Sequence, residues 1–379
     1  MINNILINER KKTKRICLVS FTNIYVLPYA KLYIDKIINS GNNCSLLYWD
    51  RDLDGEKVDF YPECERFIYK KCVTGEDGKG KFKKGIGYFQ AMIFFKKTIY
   101  NEKFDGLIFL ETQSAVLCSN LILKNYAGKY IVDIRDFTIE NIHFLKKIED
   151  RVIAKSYVTV ISSPAYKKFL PKADYVISHN YTPFTEKELQ IVRGRKKNND
   201  GVIRISFIGT VRFIEMDKKI LNIFKNDDRF IINYYGRGSE KLKDYCFIND
   251  INNVNFINGF DPKDTSILYR DTDVINNLYG NNSPFLDYAL SNKLYHAAQF
   301  YMPILVCKNT YMEQVSTQYN IGFTFDFDDI NVKDRLYNWF YSLNRQNLID
   351  CSNCFINKVK LENSLFDEKI QQYIAFIDK

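Results

Sequence analysis

No stretch of this chain reaches the ~18 consecutive apolar residues that a membrane-spanning helix needs. Its beginning, MINNILINERKKTKR, places apolar residues before basic ones, the reverse of a secretory signal. Low-complexity tracts are missing, and 46% of the residues are apolar, so disorder is not expected. Histidine is scarce: His143, His179 and His296 each stand alone, as structural histidines usually do. The nine cysteines are an odd number with irregular spacing, and Cys17, Cys118 and Cys307 sit inside apolar runs. That pattern reads as reduced, buried thiols in a cytoplasmic protein. Cys351 and Cys354 have CxxC spacing without a second pair, so a four-ligand zinc site is not expected.

What is present points to an α/β chain. The 379 residues suit two domains. A formal charge of +9 suits acidic partners such as phosphates, nucleic acid or an anionic membrane, but it is spread along the chain. In the first half, short apolar runs read as strands at 15–21 (RICLVSF), 44–49 (CSLLYW), 107–110 (LIFL), 130–133 (YIVD), 158–161 (VTVI) and 174–178 (DYVIS). Helical spacing falls between them, at 29–40 and 114–126, the order of a parallel sheet. The strands finish in polar residues: Ser20, Thr22 and Asn23; Glu111; Asp136; Ser162 and Ser163; His179 and Asn180. Ligands of open α/β sheets sit at such carboxyl ends.

Residues 185–201 are polar and basic and read as a linker, after which the alternation restarts. Strands are expected at 202–208, 230–235, 254–257, 274–278 and 303–306. This divides the chain into a domain over 1–184, the linker, and a second domain over 202–365. A helix within 366–379 either closes the second domain or packs back on the first. Two Rossmann-like domains facing across a cleft is the expected architecture.

The opening of the last apolar helix, Ser291-Asn292-Lys293-Leu294, resembles an anion seat, because a helix N-terminus is electropositive and Lys293 adds a charge. Gly236 and Gly238 follow a strand, where glycines let a backbone approach phosphate or simply make a tight turn. The dinucleotide fingerprint would require glycine at the position of Lys241, so it is not met. Gly209 and Arg212 follow the first strand of the second half, with Lys218 and Lys219 beyond. Arginine and lysine there suit a diphosphate, although a solvated helix face accounts for lysines equally well. In the first half, Asp136 and Glu111 are candidate catalytic carboxylates. Asp136 adjoins Arg135, and the two either line a site or form a structural pair. Asp52 and Asp54, like Asp271 and Asp273, have DxD form but sit in turns. Residues 78–104 read as a basic, aromatic helix, with Lys81, Lys83, Lys84, Lys96 and Lys97 around Ile86, Phe89, Met92, Ile93 and Tyr100. It either lies on an anionic membrane or packs on the sheet.

These segments together resemble the GT-B glycosyltransferases, closest to the family-4-like enzymes that build bacterial surface polysaccharides. The resemblance rests on residues 132–136 (VDIRD), 158–164, 178–180 (SHN), 207–210 (FIGT), 290–294 (LSNKL) and 303–305. It implies a nucleotide-diphosphate sugar as co-substrate in the second domain and a lipid-linked or glycan acceptor in the first. Gly209, Arg212, Lys218, Gly236, Gly238, Ser291, Asn292, Lys293 and His296 would line the donor side. Asn23, Arg135 and Asn180 would line the acceptor side. It implies no metal or other cofactor. The chain departs from the pattern at His296, where the family has a glutamate for the ribose. It departs again at Gln299, Phe300 and Tyr301, where small residues and glycine are usual. Those departures leave two alternatives in view: a sugar-nucleotide epimerase of the same architecture and a non-catalytic partner subunit. Nucleic acid is not an expected partner, since no RNA or DNA motif is present.

Overall fold

The computed structural model describes residues 13–51, 60–72, 80–195 and 200–379. Expectations for Asp52, Asp54, Lys196 and Lys197, and for the side chains of Lys81, Lys83 and Lys84, lie outside the described residues. The chain divides into two compact units, Met1–Ser178 with Glu362–Lys379, and His179–Leu361.

The first unit holds a seven-stranded sheet: β1 (Arg15–Ser20), β2 (Asn43–Asp50), β3 (Glu65–Lys70), β4 (Gly106–Phe109), β5 (Tyr130–Ile134), β6 (Val158–Ile161) and β7 (Tyr175–Ile177). Their order is β3-β2-β1-β4-β5-β6-β7, and every pairing is parallel. The central strands carry continuous apolar sequence because helices cover both faces. Ile16, Leu18, Leu46, Ile108 and Ile131 pack on the helix Ala30–Asn39 on one face. Phe366, Ile370, Tyr373, Ile374 and Ile377 join that same core. Each such buried side chain contributes about 1.5–3 kcal/mol, so this C-terminal segment is an integral part of the first unit. Tyr373 fixes its depth by donating its hydroxyl to the carbonyls of Leu107, at 3.2 Å, and Lys129, at 2.9 Å.

The second unit holds six parallel strands: β8 (Ile203–Ile208), β9 (Phe230–Tyr235), β10 (Val254–Ile257), β11 (Val274–Asn277), β12 (Ile304–Cys307) and β13 (Gly322–Phe325). Their order is β10-β9-β8-β11-β12-β13. In each sheet the strand order reverses at one place, between β1 and β4 and between β8 and β11. That reversal opens a crevice at the carboxyl ends of the strands.

The described residues of the segment read as a linker belong to the second unit. Glu186–Arg193 is a helix opened by a capping box between Thr185 and Glu188. Leu189 and Val192 enter the core beside Leu294, Tyr295 and Phe300. Three apolar residues among five polar ones were too few to show this helix in the sequence. The unit boundary falls after Ser178, six residues before the expected one, so Asn180 belongs to the second unit.

Candidate functional site

In the second unit, the site forms where β8 and β11 lie side by side. Ser291 caps the helix Asn292–Phe300, its hydroxyl accepting from the Lys293 N–H at 3.3 Å. This cap turns Lys293 inward, and the residue is only 6% exposed. Its ammonium donates to the Tyr279 hydroxyl at 2.6 Å and lies 4.2 Å from the Phe207 ring centre. A Cβ on Gly209 would come within 3.5 Å of Lys293 Nζ, so the cation lies directly over the backbone that leaves β8. Among the described residues, no carboxylate reaches ion-pair distance of Lys293. Asp217 is near enough to feel the charge. Burial raises its pKa to about 6, opposed by the Tyr234 hydroxyl and the Lys293 ammonium. Asn276 Nδ2 and Asn277 Oδ1, at the end of β11, are buried without a hydrogen-bond partner among the described residues. A buried cation lacking a counter-ion among the described residues is costly unless an anionic ligand completes it.

The glycines bring two loops into contact. Gly236 has φ +138°, and a Cβ there would stand 2.0 Å from the Gly209 carbonyl oxygen. Gly238 has φ +91°, with the Val211 carbonyl oxygen 2.8 Å from a Cβ. Backbone bonds from Gly209 N to Tyr235 O and from Val211 N to Arg237 O, both 2.9 Å, zip the two loops together. These glycines shape the floor under Lys293 by letting the loops touch. Arg212 is exposed and has no partner among the described residues, as an anion-binding side chain would be. Lys218 instead pairs with Glu215 at 2.8 Å and sits over the Tyr245 ring. Asn292 is exposed at the start of its helix.

His296 is held by aromatic packing. Its Nδ1 lies 3.1 Å from the Tyr269 hydroxyl, and Phe184 packs across the ring at 5.1 Å. Burial, and then the nearby Lys293, lower its pKa to about 3, so it is neutral at physiological pH. The bulky run after it also has structural partners. Gln299 receives the Phe184 N–H and donates to the Thr182 carbonyl. Tyr301 takes the left-handed conformation where a glycine is usual, at φ 54°. Arg193 stacks 4.0 Å from its ring centre and Arg345 bonds its carbonyl, which offsets the strain.

In the first unit, the corresponding crevice lies between β1 and β4. Glu111 follows β4 and its Oε2 accepts the Phe21 N–H at 2.9 Å. Burial raises its pKa, opposed by hydrogen bonds from Thr22, Phe21 and Ser20 and by the Arg51 charge. Asn23 donates to Asp50 at 3.0 Å across the ends of β1 and β2. Arg135 follows β5, and its guanidinium lies 4.3 Å from the Tyr29 ring centre. Its Nε and Nη2 grip Asp133 at 2.7 and 2.8 Å, and its Nη1 and Nη2 reach the Ser178 carbonyl and hydroxyl. The chelating carboxylate is thus Asp133, hidden in β5, while Asp136 is exposed at the strand end. The alternate DxD pair is also spoken for: Asp273 accepts the Arg204 N–H and Asp271 pairs with Arg270.

The fold has clear counterparts among solved structures. Sucrose-phosphate synthase from Thermosynechococcus elongatus superposes with a TM-score of 0.65 over 96% of each chain, at 9% identity. The lipopolysaccharide outer core galactosyltransferase WaaB gives 0.63 at 12% identity, over 94% of this chain and 99% of its own. Anabaena HepE in complex with UDP gives 0.66 at 10% identity, over 94% of this chain and all of its own. No protein-family profile and no curated protein matches the sequence. The chain has the GT-B fold, the two-sheet α/β architecture of these glycosyltransferases.

Proposed function

We propose that this chain is a glycosyltransferase that moves a sugar from a nucleoside-diphosphate donor to a lipid-linked or glycan acceptor, in the making of surface glycan. The observation that carries the reading is Lys293: a buried ammonium, without a counter-ion among the described residues, over Gly209 at the strand-order reversal of the second sheet. A diphosphate supplies the missing negative charge. When the bond between the sugar's anomeric carbon and the diphosphate oxygen breaks, Lys293 stabilises the charge that develops on the leaving group. We read the reaction as metal-independent on that ground. The acceptor oxygen forms the new bond, and a first-unit carboxylate, Glu111 or Asp136, takes its proton. HepE, a structural counterpart, has been seen with UDP and with UDP-glucose, which makes uridine diphosphate the first probe to try. The direct test is release of nucleoside diphosphate from a panel of nucleotide sugars, with and without glycan acceptors. Acceptor-dependent release supports transfer, whereas isomerisation of donor alone would establish an epimerase instead.

We also propose that the acceptor is met at a membrane face through the helix Gly80–Glu102. Ala91, Phe95 and Ile99 turn one side of that helix into the first unit's core. Ile86, Phe89, Ile93 and Tyr100 form a second stripe that stays exposed, roughly 21 Å long at 1.5 Å per residue. Lys96 and Lys97 flank it. An exposed apolar stripe bordered by lysines suits an anionic lipid surface. In vesicle co-sedimentation, binding should require anionic lipid and fall about tenfold in Phe89→Glu. Equal binding by wild type and variant would remove the helix from that role.

A further inference from the structure

Arg51, at the end of β2, is another cation without a counter-ion among the described residues. Its guanidinium lies 4.7 Å from the Trp49 ring centre and 5.0 Å from that of Tyr88. Among the described residues it makes no ion pair, and its Nε is buried without a hydrogen-bond partner. Two aromatic rings hold an arginine in one orientation without neutralising it. Around it are the ends of the three strands that meet at the order reversal of the first sheet. Asn23, 6% exposed, uses its amide nitrogen on Asp50 and leaves Oδ1 buried with no donor among the described residues. Phe21 joins the Trp49 and Tyr88 rings, at 6.2 and 5.9 Å, and ties its N–H to Glu111. Glu111 is close enough for the Arg51 charge to act on its carboxyl. It does not come within ion-pair distance.

We propose that Arg51, Asn23 and Glu111 form the acceptor site, and that the acceptor carries an acidic group next to the reacting sugar. The acidic group pairs with the guanidinium of Arg51, and a hydroxyl donates to Asn23 Oδ1 or Glu111. The flat guanidinium suits a planar carboxylate or a phosphate, each able to accept two parallel N–H bonds. The shared chemistry is therefore a hydroxylated anion, either a sugar acid or a sugar phosphate. The proposal rests on the glycosyltransferase reading for the word acceptor, but binding of the anion can be measured without any transfer.

The experiment is titration calorimetry of the full chain with glucuronate, glucose 6-phosphate and glucose, donor absent. Wild type should bind at least one of the two anions about tenfold or more tightly than glucose, and which one separates sugar acid from sugar phosphate. Arg51→Gln should lose that preference, and Arg51→Lys, which keeps the charge but not the fork, should keep part of it. Equal binding of glucose and both anions, no binding of any, or a preference that survives Arg51→Gln would overturn the proposal. Loss of donor turnover with intact anion preference would count against the transfer reading alone.

Discussion

Lys293→Met should lower kcat for donor turnover by about 10²–10³-fold while leaving the thermal midpoint nearly unchanged. Methionine keeps most of the apolar stem, so packing against Phe207 and Tyr279 survives. What disappears is a single positive charge, already desolvated and aimed over Gly209. A cation held in place before the reaction pays no reorganisation when charge develops, which is why its loss should fall on kcat. Lys293→Ala should give the same kinetic loss with a further loss of packing. Steady-state kinetics beside a melting curve separate the two effects. Turnover within a few-fold of wild type in Lys293→Met would move the donor site elsewhere.

Arg135→Ala should instead unfold the first unit readily. Asp133 is fully buried in β5 and is held by Arg135 and by the Tyr33 hydroxyl at 2.7 Å. Burial would lower the arginine's pKa, but the Asp133 carboxylate outweighs it and raises the value, so the arginine is charged. Removing one member of a buried pair leaves the other charge uncompensated, at a cost of about 3–5 kcal/mol. For units of this size that corresponds to a fall of roughly 10 °C in the thermal midpoint. Arg135→Lys should recover part of it, since one ammonium cannot replace the fork. A large kinetic defect without a lower midpoint would return Arg135 to the acceptor side.

These two residues show what the sequence could and could not carry. Lys293 was legible because a serine cap, an amide and a lysine ahead of an apolar run describe a local structure. Arg135 was visible at a strand end, but its partner Asp133 is buried in the strand itself. Sequence adjacency made Asp136 look like the natural partner. The central strands were legible as apolar runs. The edge strands β3 and β13 were not, because ERFIYK and GFTF are half-exposed and carry little apolar contrast. The helix Arg345–Ile377 was visible only in its last third, where its apolar stripe meets the first unit's core. Tyr279, Asp217 and Arg51 had no sequence signal at all. Each gains meaning only from a side chain that the fold brings beside it. His296 and Tyr301 looked like defects in a known pattern, and the structure gives both of them specific partners.

The central claim is that the second unit holds a nucleoside diphosphate through Lys293. Isothermal titration of the full chain with UDP, then GDP and ADP, tests it most directly. One of these should bind to wild type in the micromolar range and at least about tenfold more weakly to Lys293→Met. Binding of all three too weak to measure in wild type, or affinity unchanged in Lys293→Met, would contradict it.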